Sequence, residues 1–379
     1  MQAKRRIRHR SGAGINALPG ARGRRYGVGM SGSDHERSPS SDAAERPALL
    51  SLFCGAGGLD EGFAQAGFRT HLAYDAMPAA VASFNHNHGE GIAVEADLRE
   101  LGTEGIIRAV RERNFTPVGV IGGPPCQGFS RGNVGIAEVG DPRNELPLLY
   151  ANIIASLADS FDLQFFVFEN VPGLLRARHA QRLEAMRSAL ATTFTIREVE
   201  VDAFNFGVPQ HRPRMLWIGL RTETLGALPW PLPPTLEGPR TVKQAFGVLP
   251  EPTFWGRGAK ENSRHPNHWT MNPKSKRFAT GEFNRWRSFR RLAWDGPSPT
   301  VAYGNREIHV HPDGKRRLSV FEAMLLQAFP ETYELKGNLS EQVTQVSNAV
   351  PPKLAFSFAT QLRTLVESLG EGGNARSVA

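Results

Sequence analysis

The residue with the clearest chemical potential is Cys126, one of only two cysteines in the 379-residue chain. Residues 121–130 read Ile-Gly-Gly-Pro-Pro-Cys-Gln-Gly-Phe-Ser, so two prolines fix the backbone before the thiol and glycines let a ligand approach closely. Such a rigid turn presents a cysteine as a nucleophile. Because most free cysteines are small buried residues, the turn alone also leaves a structural role for Cys126 open.

A carboxylate and two arginines are expected to face the same crevice as the thiol. Glu169 follows the apolar run 165–168, which is typical of a buried strand, and Arg212 and Arg214 precede another apolar strand at 215–220. Strand alternation would place both arginines on one side. Surface salt bridges are the alternative reading of these three residues.

These three residue types together suit chemistry on a pyrimidine ring. A thiolate attacks an electron-poor carbon, a carboxylic acid protonates a ring nitrogen, and arginines hold a ring carbonyl. Cytosine offers carbon 6, nitrogen 3 and the 2-oxo group for these contacts. Attack at carbon 6 would make carbon 5 able to take a methyl group from a sulfonium donor, and loss of the carbon 5 proton would then expel the cysteine.

The elements that must position these residues indicate an α/β fold. Asp75 and Asp97 end two of the predicted strands, where carboxylates line the nucleoside-binding crevice of such sheets. The turn at 54–58 lacks the third glycine of a dinucleotide-binding sequence, so it favours the adenosine part of a ligand. We predict a doubly wound, Rossmann-like sheet with a second, smaller irregular domain. The expected strands are 48–53, 71–74, 92–96, 118–121, 165–168 and 215–220, and the expected helices are 59–67, 148–157, 318–329 and 351–368.

Charge is distributed unevenly along the chain. Residues 1–29 carry eight Lys or Arg and no acidic residue, which accounts for the whole formal net charge of +8. Residues 221–317 hold 17 basic and 8 acidic residues, a net charge of +9. This second block is the better candidate for contact with phosphate, although a solvated basic face is the alternative.

Composition also narrows the class of protein. Two cysteines cannot form a disulfide framework and have no paired metal-ligand spacing, and no stretch approaches the length of a membrane span. We expect a cytoplasmic, nucleoid-associated protein without a bound metal. Residues 1–46 have the composition of a disordered basic, Ser-rich tail. A transit peptide is an alternative, although these residues show no convincing amphipathic stripe. Another alternative is that translation starts at Met30, which would leave residues 1–29 untranslated.

Five ordered motifs resemble those of the DNA (cytosine-5) methyltransferase family, and together they cover about residues 48–220 and 290–362. They are Phe53-x-Gly55-x-Gly57-Gly58, Pro124-Pro125-Cys126-Gln127, Glu169-Asn170-Val171, Gln210-x-Arg212-x-Arg214 and Asn348-Ala349-Val350-Pro351-Pro352. Three positions depart from the commonest family pattern: Ser51 replaces Asp, Phe321 replaces Arg, and Ser347 replaces Gly.

The resemblance implies a role for each matching residue. Cys126 would be the nucleophile, Glu169 the acid at nitrogen 3, and Arg212 with Arg214 the pair that orients the base. The methyl donor would be S-adenosylmethionine, and the target base would be extruded from the duplex. The residues implied to surround the cofactor are Phe53, Gly55, Gly57, Gly58, Asp75, Asp97, Pro125 and Asn348.

The resemblance also predicts the domain organisation. Residues 47–220 and 342–379 would form the catalytic, S-adenosylmethionine-binding domain, and residues 221–341 the small target-recognition domain. Its Pro-rich first part, 221–292, interleaves tryptophans with Arg and Lys. Predicted DNA contacts are Gln127, Ser130 and Arg131 in a loop that closes over the base, and Arg257, Arg264, Lys274, Arg285 and Arg287, where phosphate contact is expected more often than guanine contact. His265 and His268 lack the partners of a metal site.

Three other functions remain alternatives. The same chemistry on transfer RNA shares the catalytic motifs, although Gln127 and the large recognition region favour duplex DNA. A catalytically silent DNA-binding protein would not need the intact Cys126, Glu169 and arginine set. A nicotinamide-dependent oxidoreductase has only the Gly-rich turn in its favour. We expect a monomer that acts alone on DNA or beside a restriction endonuclease for the same site.

Overall fold

The computed structural model describes residues 46–125, 145–176, 179–226, 237–256, 260, 262–283, 289–303 and 307–376. Seven of the predicted site residues lie outside these ranges: Cys126, Gln127, Ser130, Arg131, Arg257, Arg285 and Arg287.

The described residues form an alternating α/β arrangement followed by shorter elements. The strands are β1 (Ala48–Leu52), β2 (Arg69–Asp75), β3 (Ala93–Glu95), β4 (Gly119–Gly122), β5 (Phe165–Asn170), β6 (Phe194–Asp202), β7 (Gln210–His211), β8 (Pro213–Arg221), β9 (Thr253–Phe254), β10 (Trp269–Thr270), β11 (Ser298–Pro299), β12 (Ala302–Tyr303) and β13 (Glu307–Ile308). The helices are α1 (Gly58–Gln65), α2 (Pro78–His88), α3 (Leu98–Glu112), α4 (Leu146–Ser160), α5 (Ala180–Leu190), α6 (Val242–Phe246), α7 (Arg277–Thr280), α8 (Val320–Leu326), α9 (Leu339–Asn348) and α10 (Pro352–Arg376).

A seven-stranded sheet carries the candidate site. Its strand order is β3-β2-β1-β4-β5-β8-β6, and β1 to β5 pair in parallel. Strands β2 and β3 are added on one side of β1, and β4 and β5 on the other side. The position between β1 and β4, where the strand order reverses, is the switch point at which doubly wound sheets bind ligands. The predicted doubly wound α/β fold is therefore confirmed.

Continuous apolar runs form the central strands because both faces of the sheet are covered. Along β5, Phe166 and Phe168 join one hydrophobic cluster, with Tyr150 of α4, whereas Phe165 and Val167 join a second. The second cluster also contains Leu354 and other residues of α10. This alternation buries all six residues of β5 and fixes where Glu169 and Asn170 emerge at its carboxyl end.

The pairing at the other end of the sheet was not predicted. Strand β8 is antiparallel to β5, and β6 pairs antiparallel to β8. Strand β6 was missed because its apolar residues change phase, from Phe194 and Ile196 to Val199 and Val201, so the simple alternation of a half-buried strand is interrupted.

A third hydrophobic cluster joins Ala56 to residues between 242 and 349, which include Val301, Val320, Met324 and Val346. The predicted helix at 318–329 is observed as α8, which begins at the capping box of Ser319 and Glu322. The proposed division of the chain at 220 and 341 stays a prediction. In the part of the chain that the structure describes, no helix combines the length and apolar character needed to cross a membrane.

Candidate active site

The glycine turn after β1 has the backbone geometry of a ligand-binding turn. Phe53, Gly55 and Gly57 have φ values of 55°, 55° and 87°, in the left-handed region. For Phe53 this conformation is strained, and such strain concentrates at functional sites. A Cβ added to Gly57 would lie 2.7 Å from His88 Nε2 and 2.7 Å from the Tyr333 hydroxyl, whereas one added to Gly55 would meet no atom within 4 Å. The turn is therefore packed at Gly57 and open at Gly55.

Asp75 holds this turn through main-chain donors. Its Oδ2 accepts a hydrogen bond of 2.8 Å from the Gly55 amide, and its Oδ1 accepts one of 2.9 Å from the Met77 amide. Burial raises the pKa of the Asp75 carboxyl, and hydrogen bonds from the Met77, Gly55 and Ala76 amides partly offset that effect. A carboxylate has about four acceptor sites, so beside these three amides Asp75 can still accept a hydrogen bond from a ligand.

Asp97 has a different environment. It is the N-cap of α3, and its Oδ1 accepts a 2.9 Å hydrogen bond from the Arg99 amide. The Arg99 guanidinium also pairs with both carboxylate oxygens, and these hydrogen bonds lower the pKa of Asp97. Asp97 therefore lies at the predicted strand end, but with its carboxylate already shared between a helix N-terminus and an arginine.

Glu169 and Arg214 form a mostly buried ion pair at the carboxyl end of β5. Arg214 Nε lies 2.6 Å from Glu169 Oε1, and each side chain is about 10% exposed. Next to it, Asn170 Nδ2 donates a 3.3 Å hydrogen bond to the carbonyl of Pro124. A Cβ on Gly123 would lie 3.0 Å from Glu169 Oε2. The structure thus joins the Glu169 motif to the segment that leads into Cys126.

Two further predicted residues frame this edge. Pro125, the last described residue before Cys126, is exposed. Asn348 is the last residue of α9 and is also exposed, so its side chain is accessible to a ligand.

The two predicted base-orienting arginines have different partners. Arg214 contacts Glu169, but Arg212 is completely buried and its Nη2 donates to the carbonyls of Ser347, at 2.8 Å, and Ala349, at 2.7 Å. Strand β8 begins at Pro213, so Arg212 lies before the regular alternation of the strand. The two guanidinium groups thus contact different parts of the protein, Arg214 the Glu169 side chain and Arg212 the main chain at 347 and 349.

Two described candidates for DNA contact differ in how available their charges are. Arg264 pairs with Glu331, and its guanidinium carbon lies 5.6 Å from the ring centroid of Phe321. Phe321 is the residue that stands where the family often has Arg, and it also stacks on His265. Lys274 is exposed and lines a cavity of about 330 Å³ with Trp255, Phe278, Phe289 and Arg317, among others. Among the described residues that line this cavity, none is acidic.

Sequence reasoning missed several buried polar residues near the site. Asp60 on α1 accepts hydrogen bonds from Ser51, at 3.0 Å, and Thr70, at 2.8 Å, and burial raises its pKa. Ser51, which stands where the family commonly has Asp, therefore has a hydrogen-bond partner in Asp60. An Asp between apolar Leu59 and Phe63 was the available signal. Across the described ranges, no group of three or more His, Cys, Asp or Glu side chains could hold a metal ion.

Comparison with known proteins identifies a matching family and relatives of this chain. The family model described as C-5 cytosine-specific DNA methylase matches residues 48–364. The chain is 31% identical over 348 residues to the Type II methyltransferase M.MthTI of Methanothermobacter thermautotrophicus, covering 85% of this chain and 98% of that protein. It is 32% identical over 333 residues to M1.HphI of Haemophilus parahaemolyticus, another Type II methyltransferase, covering 82% of this chain and 85% of that protein.

Solved structures show the same fold. An E. coli prophage-encoded protein, assigned as a DNA modification methyltransferase, has a TM-score of 0.66 at 24% identity and covers 85% of this chain and 99% of its own. A mutant of Spodoptera frugiperda DNMT2 has a TM-score of 0.60 at 17% identity, covering 84% of this chain and 99% of its own. At these identities the likeness concerns the fold.

Proposed function

The chain belongs to the C-5 cytosine-specific DNA methylase family, and from this premise we propose that it transfers a methyl group from S-adenosylmethionine to carbon 5 of a cytosine turned out of duplex DNA. It is a DNA cytosine-5 methyltransferase, as the resemblance in its sequence predicted. The donor, the residue roles and the duplex target are the parts that we propose.

The turn between β1 and α1 fits the cofactor. Gly55 borders open space, and its amide holds the Asp75 carboxylate, which has acceptor capacity left for the ribose hydroxyls. Phe53, Gly57, Gly58, Asp97, Pro125 and Asn348 complete the proposed binding set. When bound, S-adenosylmethionine supplies a methyl group on a positively charged sulfur.

The chain's own residues carry the remaining chemistry. The Cys126 thiolate forms a bond to carbon 6 while Glu169 delivers a proton to nitrogen 3, so the ring stays neutral and carbon 5 becomes electron-rich. After carbon 5 has gained the methyl group, loss of its proton to water restores the double bond between carbons 5 and 6 and expels the thiolate, and nitrogen 3 returns its proton to Glu169. Arg214 has N–H donors besides the Nε that contacts Glu169, and we propose that they donate hydrogen bonds to the 2-oxo group of the base.

The observation that carries this proposal is the Glu169–Arg214 pair beside Pro124. A carboxylate and a guanidinium 2.6 Å apart, each about 10% exposed, need a reason to be kept at the end of a buried strand. Contact with a planar base that presents a ring nitrogen and a carbonyl on one edge provides that reason. The hydrogen bond from Asn170 to Pro124 holds the residues that precede Cys126 beside this pair, which supports the proposal.

Covalent trapping tests the proposal directly. Duplex DNA with 5-fluorocytosine at the target should form a denaturation-resistant adduct when S-adenosylmethionine is present, because fluorine cannot leave carbon 5 as the proton does. The adduct is detected as a shifted band on a denaturing gel. Cys126→Ala should form no adduct but should still bind the DNA.

The controls separate the alternatives. An adduct with 5-fluorocytosine transfer RNA and none with any duplex DNA would replace the DNA proposal by the RNA one. Retained methylation in Cys126→Ala would overturn the mechanism. Binding of DNA without methylation by the wild-type chain would favour the silent DNA-binding protein.

We also propose a restriction-modification setting, because the relatives above are named Type II methyltransferases. Bisulfite sequencing of DNA from a host that expresses the protein would reveal the target site. That DNA should then resist an endonuclease that cleaves the same site, and cleavage at fully methylated sites would argue against this setting.

A further inference from the structure

Residues 210–214, called here the 210–214 strip, carry four polar side chains, and three of them, Gln210, Arg212 and Arg214, contact three separate parts of the molecule. Gln210 is completely buried; its Nε2 donates a 3.1 Å hydrogen bond to the carbonyl of Leu326, and its Oε1 accepts one of 3.1 Å from the Val301 amide. Leu326 is the last residue of α8. Gln210 therefore joins α8 to the segment around Val301.

The main chain of the strip strengthens this connection. Strand β7 pairs in parallel with β11, and the Ser298 amide donates a 2.9 Å hydrogen bond to the carbonyl of Pro209. The Thr300 hydroxyl donates to the carbonyl of His211 at 3.1 Å. Residues 298–301 therefore follow the strip along its length, and they belong to the region predicted to recognise the target.

Arg212 faces another part of the protein. Its two hydrogen bonds to Ser347 and Ala349 bracket Asn348, a proposed cofactor residue. The next carbonyl, of Val350, would lie 2.5 Å from a Cβ on Gly58. The chain at 347–350 thus rests on the glycine turn, and a fully buried guanidinium holds it there. Such charge-assisted hydrogen bonds are stronger than neutral ones, and losing them in the interior is costly.

We propose that the 210–214 strip positions three working parts separately: Gln210 positions the 298–326 part of the recognition region, Arg212 positions the cofactor turn through residues 347–350, and Arg214 alone contacts the base. Arg212 is then a positioning residue and not one of a base-orienting pair. This inference rests on the proposed function, because it assigns the turn to S-adenosylmethionine and the Glu169 edge to cytosine.

The proposal predicts a separation between affinity and turnover. Arg212→Lys keeps a cation but loses the rigid guanidinium plane that directs Nη2 at both carbonyls, so the Kd for S-adenosylmethionine should rise roughly 10-fold. Its kcat at saturating cofactor should stay within about 3-fold of wild type, since Arg212 makes no transition-state contact. Arg214→Lys should show the opposite, a kcat about 100-fold lower with an unchanged Kd for the cofactor.

Arg221→Lys is the matched control. Arg221 lies at the end of the same strand, and it also donates to main-chain carbonyls, with Nε 2.6 Å from the oxygen of Leu163. This variant should lose stability without changing either the cofactor Kd or kcat. Gln210→Glu, which removes the donor to Leu326, should weaken binding of cognate DNA roughly 10-fold and leave the cofactor Kd unchanged.

Isothermal titration of the full-length proteins with S-adenosylmethionine, in the absence of DNA, measures the cofactor Kd independently of methylation. If the wild-type chain binds no cofactor, the proposed function fails. If it binds cofactor and Arg212→Lys binds it equally well, the inference about Arg212 fails and the proposed function stands. A loss of kcat in Arg212→Lys equal to that in Arg214→Lys would restore the base-orienting pair and also overturn the inference.

Discussion

Two places along the carboxyl edge of the same sheet, called here the cofactor edge and the catalytic edge after their proposed roles, hold their carboxylates in different ways. At the cofactor edge, Asp75 is held by the main-chain amides of Gly55 and Met77. At the catalytic edge, Glu169 is held by the Arg214 side chain. Main-chain donors fix the shape of a turn, whereas a side-chain cation can rearrange when a base arrives. The first arrangement therefore suits binding, and the second suits a group that must exchange a proton.

The flanking segments repeat this contrast. The cofactor turn is packed against His88 and Tyr333, and the Tyr333 hydroxyl also donates to the carbonyl of Ala56. The catalytic edge continues through exposed Pro125 into the Cys126 segment. Substitutions at the cofactor edge should accordingly change affinity or stability, and those at the catalytic edge should change turnover.

The largest effect is expected for Glu169→Gln. The amide is nearly isosteric but cannot deliver a proton to nitrogen 3, so kcat should fall by about 10²- to 10⁴-fold while the cofactor Kd stays unchanged. Steady-state methylation of cognate DNA with tritiated cofactor measures kcat, and titration measures Kd. A variant with normal kcat would remove Glu169 from the chemistry and break the contrast between the two edges.

A smaller effect, on affinity, is expected for Asp75→Asn. The amide nitrogen would face a main-chain N–H donor and offer fewer acceptors to the ribose, so the cofactor Kd should rise roughly 10- to 100-fold with kcat at saturation preserved. A fall in kcat comparable to that of Glu169→Gln would show that the two edges do not act separately.

The raised pKa of Asp75 adds a pH dependence to the same prediction. Burial favours the protonated carboxyl, so on acidification Asp75 should become protonated at a pH above its ordinary pKa of 3.8. The protonated carboxyl accepts fewer hydrogen bonds. Cofactor affinity should therefore fall as the pH is lowered toward that raised pKa. Asp75→Asn should not show this dependence, and equal pH profiles for both proteins would contradict it.

Whether the sequence could predict the residues and contacts of these two edges depends on how far apart the contacting residues lie along the chain. Glu169 and Asp75 were located correctly because each follows a short apolar strand, and strand ends are a local signal. The partners of Arg212 are 135 and 137 positions away in the sequence, so no local pattern could indicate them. The ion pair of Asp97 with Arg99 was a local signal that the sequence interpretation did not use.

The direction of strand β8 is a second feature that the sequence could not predict. The apolar residues of β8 predict a strand, and that prediction is confirmed, but a buried strand has the same composition in either direction. Its antiparallel placement beside β5 gives Arg214 access to Glu169, since Asn170 pairs with Met215 at the end of the two strands. Tertiary context thus decided which arginine reaches the carboxylate.

Gly57→Ala tests whether packing fixes the cofactor turn. A φ of 87° strains any side chain, and the added methyl would lie 2.7 Å from both His88 Nε2 and the Tyr333 hydroxyl, so we expect a loss of about 2–4 kcal/mol in the free energy of unfolding. Gly281→Ala is the control, because Gly281 has a φ of 69° in the same left-handed region as Gly57 but open space around its Cβ position. It should lose only the strain part, about 1–2 kcal/mol. Equal losses in urea unfolding would show that contacts at Gly57 do not matter.

The smallest effect is expected for Asp97→Asn, which tests whether every carboxylate at the cofactor edge matters equally. Asn is as good an N-cap as Asp, so α3 should keep its start, and only the charge beside Arg99 is lost. Because this carboxylate is partly exposed and already engaged by Arg99, the cofactor Kd should change less than about 5-fold, well below the change for Asp75→Asn. Titration of both variants at one ionic strength compares them directly. A larger change for Asp97 would mean that Arg99 releases the carboxylate to the cofactor, and the cofactor edge would then also depend on a side-chain rearrangement.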